Sequence, residues 1–429
     1  MSPSGAGPST RSPVPDTVGR DAVTVDDTAG THGVDPHRDI PLALYIHFPW
    51  CVRKCPYCDF NSHQLTSARP DGGYVDALIE DFDDELPLVA TRAISSVFFG
   101  GGTPSLFAPE EFARLLRALR QRIEFTGDTE ITLEANPGTI ERGHFAGYRD
   151  AGINRVSLGA QTFCARALER LGRIHTADDT HRAVEELREA GIRNFNLDLM
   201  YALPGQTLEE AIADVRTACA LEPTHISYYQ LTLEPGTVFH ARPPPLPDDD
   251  AAWRIQSDCQ GLLAAAGYRQ YEVSAYARGD ARCRHNLNYW LFGDYVGIGA
   301  GAHGKLSLEL PGKILRTAKP KQPRDYRERL RHTAHHGRRE HTAEGRGAGE
   351  RRFVPIGDLA FEFMLNALRL NDGFDSSCFE ARTGLSAQTL SVPMRAAETG
   401  GLIERLENGW KPTDLGGRFL NDLQAGFLA

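Results

Sequence analysis

The sequence of 429 residues lacks several features that define whole classes of protein. It contains no run of 18 or more apolar residues, so it predicts no helix that spans a membrane. Its first forty residues are rich in Pro, Ser, Thr, Gly and Asp, and they lack the apolar core of a secretory signal. This composition predicts a disordered tail over 1–40 and a cytoplasmic protein without stable membrane insertion.

An excess of positive charge is also missing. The formal net charge is −10 at pH 7, whereas a surface that binds nucleic acid needs an excess of Lys and Arg. We therefore expect no nucleic-acid partner. The apolar fraction of 41% is ordinary for a globular protein, and the length suffices for two or three domains.

Three of the eight cysteines are clustered in the segment CVRKCPYCDF (51–60). In a reducing cytoplasm, Cys51, Cys55 and Cys58 are expected to bind metal or carry redox chemistry. The inner CPYC is typical of a glutaredoxin-type dithiol, and three buried structural cysteines are a further alternative. We favour an iron–sulfur cluster, because thiolates are its preferred ligands and the full spacing presents three sulfurs to three irons. One iron of a 4Fe–4S cube would then stay open.

From Pro41 onward, short apolar strands alternate with amphipathic helices in six repeats. The predicted strands are 42–48, 95–102, 130–137, 153–162, 194–203 and 225–235. This alternation indicates an α/β fold with a parallel sheet, either doubly wound or rolled into a barrel. Polar or glycine-rich motifs follow five of the strands, and the carboxyl ends of parallel strands share one edge. We therefore expect one shared site at that edge.

Two motifs together are highly specific. The spacing Cys51-x3-Cys55-x-Tyr57-Cys58 and the segment FFGGGTPS resemble the radical S-adenosylmethionine (SAM) superfamily. The segments YIHFPWC, LEANPG, SLGAQTF, LGRIHT and NFNLDLMYALPGQT are similar to the oxygen-independent coproporphyrinogen III oxidase family. The resemblance covers about residues 41–304 and the terminal domain. It implies a partial (β/α)6-type radical SAM barrel, in which the amino and carboxylate groups of SAM chelate the open iron of the cluster.

The resemblance also implies roles for individual residues. It makes Cys51, Cys55 and Cys58 the ligands of the 4Fe–4S cluster. Residues expected to contact SAM are Tyr45, Gly101, Gly102, Thr103 and Glu134. Residues expected to contact a second SAM molecule or the substrate side of the cavity are Gln161, Arg173 and Asp198.

One departure from the oxidases bears on function. They carry a further cysteine two residues after the third, where this chain has Phe60. The segments CDFNSH and HNLNYW (285–290) are instead similar to a sister group, the heme chaperones. His285 is therefore predicted to contact heme, through the iron or a propionate, while Tyr289 and Trp290 offer aromatic faces to a porphyrin. His303 and His47 are weaker candidates.

These features predict a heme chaperone that binds heme, a 4Fe–4S cluster and SAM, and transfers heme to acceptor proteins such as respiratory cytochromes. The alternative is an oxygen-independent coproporphyrinogen III dehydrogenase that forms protoporphyrinogen IX, so an enzymatic activity stays open. The predicted domains are a disordered tail (1–40), the radical SAM partial barrel (41–240), a barrel extension with the HNxxYW element (241–318), a charged linker (319–352) and a helical, winged-helix-like domain (353–429).

Overall fold

The computed structural model describes residues 40–66, 73–89, 91–138, 144–335 and 349–428. The predicted disordered tail lies outside these ranges, apart from its last residue. In chain order the strands are β1 Leu42–Phe48, β2 Trp50–Cys51, β3 His63–Gln64, β4 Ala93–Gly101, β5 Glu124–Ala135, β6 Arg155–Gln161, β7 Asn194–Tyr201, β8 His225–Gln230, β9 Arg269–Glu272, β10 Ala275–Ala277, β11 Asp294–Ile298, β12 His303–Glu309, β13 Lys313–Ala318, β14 Glu350–Phe353, β15 Phe374–Asp375, β16 Ile403–Arg405 and β17 Gly409–Pro412.

The helices surround and extend this sheet framework. In chain order they are α1 Gly73–Glu85, α2 Pro109–Arg120, α3 Phe145–Ala151, α4 Ala165–Arg170, α5 Ala177–Glu189, α6 Leu208–Ala220, α7 Val238–Ala241, α8 Asp249–Ala265, α9 Arg284–Trp290, α10 Pro323–His335, α11 Leu359–Ala367, α12 Ser376–Thr383, α13 Ser391–Thr399, α14 Asp414–Arg418 and α15 Leu420–Ala425. None of the described helices combines the length and the apolar character that crossing a bilayer requires.

Twelve strands of the described chain form one sheet, in the order β14-β13-β12-β11-β1-β4-β5-β6-β7-β8-β10-β9. The seven central strands, from β11 to β8, pair in parallel. Antiparallel strands extend both edges. No pairing between β8 and β11 closes the described sheet, so the predicted α/β fold with a partial barrel is confirmed. The six predicted strands are β1 and β4 to β8, and β11 adds a seventh beside β1.

Alternating residues along the central strands give the sheet one apolar face and one polar face. On β5, Ile131 and Leu133 pack in the large core that the strands share with the covering helices. Successive side chains of a strand point to opposite faces, so Glu130, Thr132 and Glu134 lie on the other face. The helices therefore bury the apolar face of the sheet, and polar side chains remain at its inner face.

The helix beginnings follow from local sequence. Thr176 caps the start of helix α5. Its hydroxyl accepts from the backbone N–H of Asp179, and the Asp179 carboxylate accepts from the Thr176 N–H in return. Helix α6 begins with the same reciprocal pair between Thr207 and Glu210. Each capping box satisfies backbone donors that the helix leaves unpaired, which stabilises the helix start.

The C-terminal region forms a small helical unit with its own core. It contains helices α11, α12 and α13, and a three-stranded sheet with the strand order β15-β17-β16. Phe363 contacts Phe374 and Phe379 edge to face at the centre of this unit. The observed helices and short hairpin match the helical, winged-helix-like arrangement expected from the sequence.

The segment predicted as a charged linker, 319–352, has ordered structure in two of its parts. Helix α10 covers Pro323–His335, and β14 begins at Glu350. Tyr326 and Leu330 are the apolar residues that anchor the helix, since both are buried in the main core. These two residues suffice to bury one face of a helix that is otherwise charged. Two apolar residues in a charged segment are too few to predict an amphipathic helix from the sequence.

A buried ionic cluster joins β11 to the start of β4 and to β12. The carboxylate of Asp294 accepts from Arg92 Nη1 at 2.6 Å and from Lys305 Nζ at 3.0 Å. It also accepts from the backbone N–H and the hydroxyl of Ser307. All these groups are buried, so the partners of Asp294 depend on its charge for compensation.

We predict that Asp294→Ala lowers the free energy of unfolding by about 3–5 kcal/mol, because Arg92 and Lys305 would be left buried without their counterion. Urea unfolding measures this change. Asp76→Ala is the matched control, since Asp76 pairs with Arg114 at the surface and its loss should cost less than about 1 kcal/mol. Equal unfolding midpoints for the two variants would contradict the prediction.

Candidate functional site

The three-cysteine loop is held at the carboxyl edge of the sheet by the turn that follows β4. The N–H of Gly102 donates to the Phe48 carbonyl at 2.7 Å, and the N–H of Thr103 donates to the Trp50 carbonyl at 2.7 Å. A Cβ atom at Gly102 would lie 2.5 Å from the Trp50 carbonyl oxygen, a distance that no side chain tolerates. Gly102, which the sequence predicted as a SAM contact, therefore also seats the loop on the sheet.

The three predicted cluster ligands Cys51, Cys55 and Cys58 are half-buried free thiols. Thr103 Oγ1 donates to the sulfur of Cys51 at 3.5 Å, and Arg173 Nη1 donates to the sulfur of Cys55 at 3.8 Å. Among the described residues, no three His, Cys, Asp or Glu side chains surround a single ion. A cluster has a different requirement, because each cysteine binds a different iron of the cube.

Arg173 connects the loop to the ends of β5 and β6. Its guanidinium donates to the side-chain oxygen of Asn136 and to the Gly159 carbonyl, the latter at 2.7 Å. Its buried Nε has no hydrogen-bond partner. A 4Fe–4S cluster with three thiolates carries net negative charge, so a guanidinium beside Cys55 is placed to stabilise it. The donor set and this cation fit such a cluster.

A cavity of about 450 Å³ opens beside the loop, and its size is typical of a small-molecule site. It brings together ten of the twelve predicted site residues, and the other two, Tyr45 and His285, line neighbouring cavities. The ten are Cys51, Cys55, Cys58, Gly101, Gly102, Thr103, Glu134, Gln161, Arg173 and Asp198.

Glu134 lies where this cavity meets two others, of about 770 and 250 Å³, and Tyr45 lines both of these. The Glu134 carboxylate accepts from the Gly101 N–H at 3.1 Å. Desolvation, with a smaller contribution from the nearby Asp198, raises the pKa of Glu134 to about 8. The carboxyl group is therefore mostly protonated at neutral pH, and a cationic ligand beside it would favour its ionisation.

Asp198 and Gln161 occupy the far side of the 450 Å³ cavity. Asp198 accepts from Ser157 Oγ at 3.0 Å and from Asn196 Nδ2 at 2.8 Å, and burial raises the pKa of its carboxyl group. Gln161 has a positive φ of 65°, and its side-chain oxygen accepts from the Tyr229 hydroxyl at 2.8 Å. These contacts hold both polar side chains toward the cavity.

His285 lies apart from the cysteines, on α9 beneath the inner face of the sheet. Its ring is 1% exposed and stacks on Phe98, with 5.0 Å between the ring centroids. Nδ1 lies 3.1 Å from the Ser96 hydroxyl, and Nε2 lies 3.2 Å from the Tyr289 hydroxyl. Burial, with a smaller effect of Arg155, lowers the pKa of His285 to about 3, so the ring is neutral. Direct contact with heme would require one of these partners to move.

Further polar residues line the 450 Å³ cavity and were not predicted from the sequence, among them Asn136, Ser157, Ser227 and Tyr229. Asn136 follows Glu134 by two positions in the quoted LEANPG, so the strand-end signal that selected Glu134 applied to it as well. Ser157, on β6, begins the quoted SLGAQTF, whereas Ser227 lies on β8 among other polar residues and has no signal of its own.

Comparisons with known proteins agree with the motifs. The family described as "Radical SAM superfamily" matches residues 45–218, and the "HemN C-terminal domain" matches residues 357–419. The chain is 46% identical over 389 residues to the "Heme chaperone HemW" of Escherichia coli (strain K12), covering 91% of this chain and 98% of that protein. It is 47% identical over 392 residues to the protein of the same name from Haemophilus influenzae, with 90% and 98% covered.

A solved structure supports the fold. The chain superposes on the coproporphyrinogen III oxidase (HemN) from Escherichia coli with a TM-score of 0.76, covering 92% of this chain and 91% of that chain. The sequence identity is 24%, so this likeness concerns the fold alone.

We predict that Gly102→Ala lowers the iron and sulfide bound after anaerobic reconstitution by half or more, although residue 102 supplies no ligand. The added Cβ would collide with the Trp50 carbonyl and displace the cysteine loop. Gly127→Ala is the matched control, because its Cβ would meet no atom within 4 Å. Equal iron content in the two variants would show that loop seating does not depend on Gly102.

Glu134 predicts a pH dependence of stability in the ligand-free protein. Its carboxyl has a pKa of about 8 in the folded chain and a usual value of 4.5, so between these values the folded chain binds more protons. Stability should therefore fall as pH rises through this range. Glu134→Gln should remove most of this fall, as measured by urea unfolding at several pH values, whereas Glu124→Gln at the exposed start of β5 should retain it. Parallel profiles for wild type and Glu134→Gln would refute the prediction.

Proposed function

The chain belongs to the heme chaperone HemW family of the radical SAM superfamily, and from this premise we propose that it binds heme and passes it to heme-accepting proteins. The single observation that carries the proposal is similarity over almost the entire length of the curated chaperones, rather than over the barrel alone. Phe60, in place of the further cysteine expected in the oxidases, supports the same function. We place this activity in the cytoplasm, with respiratory cytochromes as plausible acceptors.

The cofactors of this superfamily are a 4Fe–4S cluster and SAM, and we assign Cys51, Cys55 and Cys58 as the cluster ligands. When bound, a reduced cluster would supply an electron to a SAM molecule that chelates its open iron. Arg173 balances the charge of the cluster through its position beside Cys55. Glu134, whose carboxyl group has a pKa raised to about 8, is suited to ionise beside the cationic groups of SAM.

The remaining predicted contacts are distributed over the 450 Å³ cavity and the two cavities beside it. We propose that Gly101, Gly102 and Thr103 line the SAM side, because they form the turn next to the cysteine loop. Gln161 and Asp198 face the opposite wall of the same cavity. Tyr45 reaches SAM from the neighbouring cavities, where it shares the lining with Glu134.

The structure suggests a second way in which the HNLNYW element could serve heme binding. Contact between His285 and heme stays a prediction, since both ring nitrogens have protein partners. We propose instead that His285 acts as a positioning residue, whose Nε2 orients the hydroxyl of Tyr289 at 3.2 Å. Tyr289 in turn lines the 770 Å³ cavity beside the cysteine loop.

We predict that the reconstituted protein binds heme and forms no protoporphyrinogen when it is incubated anaerobically with coproporphyrinogen III, SAM and a reductant. Anaerobic chromatography of the porphyrin products and a heme titration by absorbance measure the two properties. A parallel incubation with a coproporphyrinogen oxidase verifies that the conditions permit decarboxylation. Appearance of protoporphyrinogen would defeat the chaperone proposal in favour of the dehydrogenase, and failure of wild-type protein to bind heme would remove its basis.

A further inference from the structure

A second large cavity lies between the cysteine loop, the end of α9 and the turn that joins β11 to β12. Its volume is about 770 Å³, which is within the range of sites for cofactor-sized ligands. Its lining combines aromatic rings, imidazoles and two lysines. The mechanism of the superfamily assigns no role to most of these side chains.

We infer that this cavity is the heme site, with His303 as the axial iron ligand and with Lys54 and Lys321 beside the propionates. The inference rests on the proposed function, because it names where that function binds its cargo. His303, Lys54 and Lys321 are neither proposed cluster ligands nor proposed SAM contacts.

Three imidazoles line the cavity, and their hydrogen bonds distinguish them. The buried His47 has both nitrogens engaged, with Nδ1 at 3.0 Å from the Tyr45 hydroxyl and Nε2 at 2.8 Å from the Asn61 carbonyl. His63 Nε2 lies 3.3 Å from the carbonyl of Lys321. His47 therefore has no nitrogen left for an incoming iron, and His63 has only its Nδ1 left.

His303 is different, because its exposed ring has no hydrogen-bond partner in the described part of the chain. It lies at the first position of β12, directly after the turn that contains Gly301. Imidazole is a common axial ligand of heme iron. Of the three rings in the cavity, His303 is therefore the one with both nitrogens available to iron among the described contacts.

The two lysines supply positive charge without internal counterions. Lys54 Nζ donates to the backbone carbonyls of Phe60 and Ser62, at 3.2 and 3.3 Å. No carboxylate of the described residues pairs with Lys54 or Lys321, although the carboxyl groups of Asp59 and Glu134 line the same cavity. A heme has two propionate carboxylates on one edge, and ammonium groups at the rim of a cavity suit them.

The aromatic lining joins the two sequence features that separate this chain from the oxidases. Tyr289, from the HNLNYW element, contacts Tyr295 edge to face with 4.4 Å between the ring centroids. Phe60, at the position of the oxidases' further cysteine, exposes 57% of its surface and lines the cavity from the opposite element. Both features thus contribute apolar faces to one space, which a flat macrocycle can use.

A hemin titration followed by absorbance tests the inference on the full-length protein. His303→Ala should weaken hemin binding about 10- to 100-fold and change the absorbance spectrum, because it removes an iron ligand. His303→Met should bind more tightly than His303→Ala and give a spectrum of its own, because the thioether can still ligate iron. His240→Ala is the matched control, since His240 is an exposed histidine on α7 outside the cavity.

A ligand without free carboxylates tests the role of the two lysines. Lys54→Gln/Lys321→Gln should weaken binding of hemin but leave binding of hemin dimethyl ester unchanged, because the ester lacks the carboxylates. Lys313→Gln/Lys411→Gln, at surface lysines outside the cavity, should change neither. Circular dichroism and unfolding midpoints verify that every variant is folded.

The possible outcomes distinguish a wrong heme site from a wrong function. If wild-type protein binds hemin while His303→Ala retains its affinity and spectrum, the site is wrong and the chaperone function stands. If the double lysine variant changes the binding of hemin and of hemin dimethyl ester to the same extent, the propionate assignment is wrong. If wild-type protein does not bind hemin, both the function and the site are refuted.

Discussion

Two backbone hydrogen bonds determine where the chemistry of this chain can occur. They join Gly102 and Thr103, in the turn after β4, to the carbonyls of Phe48 and Trp50, just before the first cysteine of the loop. Because Gly102 has no side chain, the loop approaches the sheet closely enough for both bonds to form. The cysteine loop is thereby held between a 450 Å³ cavity on one side and a 770 Å³ cavity on the other.

The open sheet makes this arrangement possible, because its inner face is polar and only its outer face belongs to the apolar core. A fully packed barrel would place apolar side chains where Glu134, Asp198 and Ser157 now face the cavities. Burial of these groups has an energetic cost, which appears as the raised pKa of both carboxyl groups. Stability then rests on the helix-covered face and on compensated charges such as Asp294 with Arg92 and Lys305.

The sequence predicted the repeated strands and the shared edge because both have local signals, namely alternating strand and helix patterns and polar motifs at strand ends. The pairing of β11 beside β1 could not be predicted, since their registry joins residues about 250 positions apart without a local pattern. The histidines show the same limit. Motif similarity selected His285, but whether its ring is buried depends on how α9 packs under the sheet, and the exposed His303 became the stronger candidate only from that packing.

We propose that three thiolates hold a cluster with one open iron beside the cavity that receives SAM. Electron paramagnetic resonance of the anaerobically reconstituted, reduced protein, with and without SAM, examines this arrangement. We expect a cluster signal that changes when SAM is added, because the ligand binds the open iron. A signal that is identical with and without SAM, or the absence of any cluster signal, would refute the arrangement.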